Sequence, residues 1–156
     1  MSGAAVAGGL AVGTAFVVVF SMFVFPSGYS GDLEDVEISL ERTVCFGFCP
    51  DYTVTVFGDG TVVYEGRNYV AVEGEQRGQI SQEQVRELVD EFYKARFFSM
   101  TDRYEQSVTD LPSQTTSITI DGETKTVYRY GFGPARLAEL EDKIDEIAQT
   151  EKWVKE

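Results

Sequence analysis

Histidine is absent from all 156 residues. That removes Ser-His-Asp and Cys-His nucleophile systems, histidine-ligated zinc or non-haem iron, and the usual general base near neutral pH. A carboxylate, lysine or tyrosine would have to act instead, so no catalytic residue, metal ligand set or cofactor is expected. Basic residues are scarce as well, 13 against 26 acidic ones, for a net charge of −13. Such a surface repels phosphate backbones, and nucleic acid is excluded as a partner. The plainest account of the excess is a soluble, self-repelling surface. Charge of either sign is missing altogether from Gly3 to Phe25. As a helix rising about 1.5 Å per residue, that run reaches roughly 34 Å, enough to cross a bilayer core of about 30 Å.

A secretory signal opens on a basic region and closes on an A-x-A-like site. Here no Lys or Arg precedes the run, which ends Phe25-Pro26-Ser27-Gly28-Tyr29-Ser30. An uncleaved anchor over residues 1–27 is therefore expected, held by membrane lipid through residues 3–25, with a cleaved signal as the alternative. No Lys or Arg follows until Arg42, so the flanking-charge rule is silent on orientation. A single anchor followed by one cysteine-paired domain favours an extracytoplasmic location. Ala5, Gly9 and Gly13 share one helix face at small-xxx-small spacing, which would allow weak pairing of two anchors. Gly and Ala are frequent in such spans, and chance explains the spacing as well.

After a short linker, 28–35, the pattern changes to that of one folded domain, 36–154. Val36, Ile38 and Leu40 alternate with polar residues, as in a half-buried strand. Tyr52, Val54 and Val56 do the same. Gly58-Asp59-Gly60 then turns the chain into Thr61–Tyr64, a hairpin. A fourth, weaker strand is expected over Asn68–Val72, with Gly74 and Gly78 in loops. Ser81 and Gln84 form a capping box ahead of a helix to Phe97, whose apolar face is Val85, Leu88, Val89, Phe92 and Tyr93. A second hairpin joins Ser117–Ile120 to Thr124–Tyr130 through Asp121-Gly122. Gly133-Pro134 opens a last helix. Leu137, Leu140, Ile144 and Ile147 line its inner face, while Glu139, Glu141, Asp142, Asp145 and Glu146 face water. Trp153 packs back on the core. The fold class is α+β: two layers, a mainly antiparallel sheet of hairpins with two helices, preceded by one N-terminal transmembrane helix.

Cys45-Phe46-Gly47-Phe48-Cys49-Pro50 is the constellation with most chemical potential. A turn at Gly47 lets the two cysteines bridge. The bridge would pin the entry to the Tyr52 hairpin and present Phe46 and Phe48 as an apolar tip. Reduced thiols, a redox pair and a metal site are the competing readings. A redox pair usually has two intervening residues at a helix N-terminus, and two thiolates without histidine are too few for a metal. Acidic residues such as Asp59, Asp102, Glu105 and Asp110 are cation-site candidates without an EF-hand pattern.

The pattern C-F-G-x-C-P-x-Y-x-V-x-V-x-G-D-G, here Cys45 to Gly60, resembles an uncharacterised family labelled domain of unknown function 6438. The likeness continues through Tyr64, Gly66, the Ser81 helix, Phe97-Phe98, Asp110 and the final helix to Trp153. The resemblance implies secretion or membrane attachment. It transfers no catalytic residue.

Two functions are expected to compete. One is a non-catalytic, membrane-tethered module that binds an unknown protein or small ligand through Phe46 and Phe48. The other is a thiol-redox or other envelope enzyme that uses Cys45 and Cys49.

Overall fold

Period-two alternation extends the chain wherever the sequence carries it. The computed structural model describes residues 28–155. The expected transmembrane helix and the Ala5, Gly9, Gly13 face lie outside them. Among the described residues no helix is long and apolar enough to cross a membrane. Seven strands form one sheet: β1 (Glu37–Arg42), β2 (Asp51–Phe57), β3 (Thr61–Asn68), β4 (Gly74–Gln79), β5 (Arg103–Glu105), β6 (Ser113–Ile120) and β7 (Glu123–Tyr130). Their order is β4-β3-β2-β1-β6-β7-β5. Every neighbouring pair is antiparallel except β5 with β7. Three α-helices among the described residues accompany the strands: α1 (Gln82–Lys94) between β4 and β5, and α2 (Ala135–Ala148) and the short α3 (Glu151–Val154) after β7. The α+β class with a mainly antiparallel sheet is the observed one.

One sheet face carries the core. Ile38, Leu40, Val54, Val56, Val62, Tyr64, Ile118 and Val127 are buried together with Val85, Leu88, Val89 and Phe92 of α1 and Leu137, Leu140 and Ile144 of α2. The alternate residues, among them Ser39, Thr53, Thr55, Thr115 and Ser117, are only half-buried. They form the open face. Helix α1 starts as its sequence dictates: the Ser81 hydroxyl accepts from the Gln84 N–H, and the Gln84 side chain accepts from the Ser81 N–H. Such a cap contributes about 1 kcal/mol. Asp121 and Gly122 both take positive φ, 53° and 76°, as a two-residue type I′ hairpin turn requires.

Three expectations need correction. The fourth strand is not Asn68–Val72 but Gly74–Gln79, so Gly74 and Gly78 lie in a strand. Its sequence, GEQRGQ, has no apolar alternation. It is held by its ladder to β3 and by Gly78, where a Cβ would sit 3.2 Å from the Trp153 ring. The second concerns α2: Glu141 is 1% exposed and Asp145 half-buried, not in water. Basic residues at inward positions of the sheet draw them in. The third is Tyr93, which lies 49% exposed beside the four buried residues of its stripe and stacks with Tyr29 at 6.3 Å.

The core also depends on residues far apart in the chain. Trp153 is 8% exposed and stacks on Tyr64 at 5.0 Å. The Val72 N–H donates to the Trp153 carbonyl at 2.9 Å, and the Ala71 N–H to the Val154 carbonyl at 3.3 Å. At Gly66 a Cβ would approach the Val72 carbonyl oxygen to 2.2 Å, so only glycine admits this strap.

Candidate functional site

Strand direction gathers four connections at one end of the sheet: 43–50, 69–73, 106–112 and 131–134. Leu33 and Val36, which lead into β1, and the Gly58–Gly60 turn lie at the other end. Large apolar side chains have only a few exposed positions among the described residues, eight in all. Six of them, Val44, Phe46, Phe48, Tyr69, Val108 and Phe132, belong to the four gathered connections.

The most prominent of these connections is the cysteine loop. Cys45 and Cys49 stand at disulfide distance with Cα atoms 5.5 Å apart, well inside the range a bridge tolerates. The stem is fixed to β6 by Thr43 N–H to the Ser113 carbonyl at 3.1 Å and Ser113 N–H to Thr43 Oγ1 at 3.0 Å. Phe46 N–H donates to the Asp110 carbonyl at 3.2 Å. Phe46 and Phe48 are 87% and 88% exposed, and Phe48 meets the Tyr69 ring edge-on at 5.5 Å. The pair lies between β1 and β2 rather than at a helix N-terminus, where a dipole would activate a thiol.

Just beneath this end, on the covered face, runs a polar row that sequence reasoning missed. Tyr52, Arg42, Gln114 and Arg129 are direct neighbours across β2, β1, β6 and β7. Arg42 continues the inward phase of Ile38 and Leu40, and Arg129 that of Val127. A charged residue at an in-phase core position is the signal that could have found the row. Helix α2 supplies the counter-charges. Arg42 Nε donates to Asp145 Oδ2 at 2.9 Å and its Nη2 to Asp142 Oδ1 at 3.1 Å. Asp145 Oδ1 also accepts from the Tyr52 hydroxyl at 2.7 Å and the Thr150 hydroxyl at 2.8 Å. Arg129 pairs with both oxygens of Glu141 and donates to the Gly131 carbonyl at 2.7 Å.

Titration follows from this geometry. Burial holds the Tyr52 phenol well above its ordinary value, and the Asp145 carboxylate pushes the same way. Burial works against the Arg42 charge, but Asp145 more than offsets it, so the guanidinium is held more firmly protonated than in water. Both groups stay in their ordinary charge states at neutral pH. Neither is poised to exchange a proton there.

Between the row, the cysteine loop and the ends of α2 and α3 lies a cleft of about 840 Å³. Pro50, Pro112, Val154 and Cys49 give it apolar walls; Arg42, Asp142, Asp145 and Gln114 are among its polar lining. Its size is that of a small-molecule or side-chain site. One buried polar group behind its wall is unaccounted for. Gln114 is 5% exposed and its Oε1 has no hydrogen-bond partner. Thr116, next on the same strand face, is fully buried and likewise unpartnered at Oγ1.

The acidic candidates do not converge. Asp59 Oδ1 accepts from the Thr61 N–H at 2.8 Å inside the β2–β3 turn. Asp102 pairs with Lys125, Glu105 with Arg103 at 2.7 Å, and Asp110 takes positive φ in its loop. Among the described residues no three metal-ligating side chains come together.

No curated protein matches the chain. A family model described as "Domain of unknown function (DUF6438)" matches residues 36–148, from β1 to the end of α2.

Proposed function

Because this chain belongs to the DUF6438 family, a domain of unknown function, we propose its role from its own surface: a non-catalytic, membrane-tethered binding domain outside the cytoplasm, whose cysteine loop and neighbouring loops grip a protein partner. The observation that carries this reading is the gathering at one end of six of the eight exposed large apolar side chains among the described residues, two of them on the cysteine loop. Rigid aromatic tips lose little entropy on burial and are typical anchors of interfaces. The charge-free run 3–25 supports the tether. Its junction with the domain, through Leu33 and Val36, lies at the end remote from the aromatic loops. The polar row supports a binding role over a catalytic one, since its arginines are already neutralised by α2 carboxylates.

Photo-crosslinking tests the reading. A benzophenone analogue at Phe48 in full-length protein, irradiated in intact membranes, is expected to give a discrete adduct that Phe46→Ser removes without lowering the melting temperature. Absence of an adduct from Phe46, Phe48 and Tyr69 positions alike would defeat it.

A further inference from the structure

We propose that the edge of the domain formed by Tyr29, Tyr93 and Phe98 rests in the headgroup layer of the bilayer that holds its own anchor. This inference depends on the tether proposed above and is independent of the aromatic loops. Of the eight exposed large apolar side chains among the described residues, Tyr93 and Phe98 are the two outside those loops. They form one patch with Tyr29. The Tyr93 ring lies 5.1 Å from that of Phe98 and 6.3 Å from that of Tyr29.

Tyr29 sets the distance to lipid. The charge-free run ends at Phe25, and Gly28 follows three positions later, at most about 10 Å of chain. The headgroup layer itself is roughly 5–8 Å deep. From Gly28 onward the linker is laid along α1. The Tyr29 N–H donates to Asp90 Oδ1, and Arg86 Nη1 donates to the Tyr29 carbonyl at 3.2 Å and the Gly31 carbonyl at 2.8 Å. At Gly28 a Cβ would stand 2.6 Å from Asp90 Oδ2, so the chain lies close against the helix. Arg86, Asp90 and Tyr93 recur at helical spacing on one outer face of α1. That helix crosses the junction end of the sheet. Just before it, the Ile80 N–H donates to the Gly60 carbonyl of the β2–β3 turn at 2.9 Å; beyond it, the Met100 carbonyl accepts from Lys125 of β7 at 2.9 Å.

The chemistry of this edge suits a headgroup layer. Amphipathic aromatic rings collect at that depth. From Phe92 to Thr101 the only charged residues are Lys94 and Arg96, both exposed, in a chain with 26 acidic and 13 basic residues. Cations placed there meet lipid phosphates. Asp32, Glu34 and Asp59 line a separate recess that includes neither Tyr93 nor Phe98. The seated linker thereby fixes a posture, with α1 against the lipid and the cysteine loop held away from it. The separation is up to the length of β6, 8 residues or roughly 26 Å.

Full-length protein carrying a benzophenone amino acid in place of Tyr93, Phe98 or Phe48 is reconstituted into vesicles of phosphatidylcholine and phosphatidylglycerol. The vesicles are floated and irradiated, and adducts are identified by mass. Lipid adducts are expected from the Tyr93 and Phe98 positions and not from Phe48. Arg86→Gln combined with Asp90→Asn frees the linker, and is expected to lower the yield at Phe98 severalfold with circular dichroism unchanged. Flotation without lipid adducts at Tyr93 and Phe98 overturns the docking and leaves the tether standing. So do adducts to a second copy of the chain in place of lipid, equal lipid yield at Phe48, or undiminished yield in the linker variant. Failure to float overturns the tether and this inference with it.

Discussion

Tyr52 shows how one hydroxyl sets a pH limit. Its folded-state pKa lies above the unfolded value of about 10, so the stability it contributes is fully present below that pH. It drains away as pH rises toward the folded value. Burial likewise pushes Tyr64 up to about 12. Urea midpoints are therefore expected to fall from about pH 10 upward. Tyr52→Phe should cost about 1 kcal/mol at pH 8 and make the alkaline fall shallower; parallel curves for the two proteins would contradict this. Thr116 makes the opposite case. Its unpaired, fully buried oxygen opposes folding, and Thr116→Val should stabilise by about 1 kcal/mol in urea denaturation. The buried Glu141 is paired with the half-buried Arg129, and Glu141→Ala should cost about 3 kcal/mol, since it leaves that guanidinium without its carboxylate. These buried charges were the least legible residues in the sequence. The acidic face of α2 looks like any solvated helix face until Arg42 and Arg129 are counted in phase with Leu40 and Val127.

Elements were legible where periodicity was strong. β2, β3, β6, β7, α1 and α2 each carry a repeating apolar stripe or a recognisable turn. β4 and β5 carry neither. β4 is an edge strand of polar residues and glycine, and β5 is three residues long beside β7 in parallel. Tertiary pairing alone specifies them, and no local signal announces that. The cysteine loop sits between these cases: the approach of Cys45 and Cys49 to disulfide distance agrees with their spacing and Gly47, whereas the cleft beside it depends on β6 and α2, more than sixty residues later in the chain. A five-residue covalent loop contributes about 2 kcal/mol by the chain-entropy relation. Replacing Cys45 and Cys49 with alanine should lower stability by about that much while circular dichroism of the sheet is retained. Loss of all folded structure would mean that the loop holds far more than its own stem.

The whole molecule closes through its latest residues. Trp153 fills the space between Tyr64 and Gly78, and the strap at Ala71 and Val72 hangs on the carbonyls of Trp153 and Val154. Trp153→Ala should cost about 3–5 kcal/mol, measured as a shift in urea midpoint at unchanged slope. β1, the middle strand, shows the same long reach, because it pairs with β2 nearby and with β6 some seventy-five residues on. A nascent chain can form the β2–β3 hairpin early, but β1 keeps one bare edge until β6 emerges. The Tyr64–Trp153 stack and its strap stay unmade until residue 154 has cleared the ribosome or the translocation pore. During synthesis, then, the amino-terminal half is exposed and sticky for seconds at ordinary elongation rates of about 5–20 residues per second.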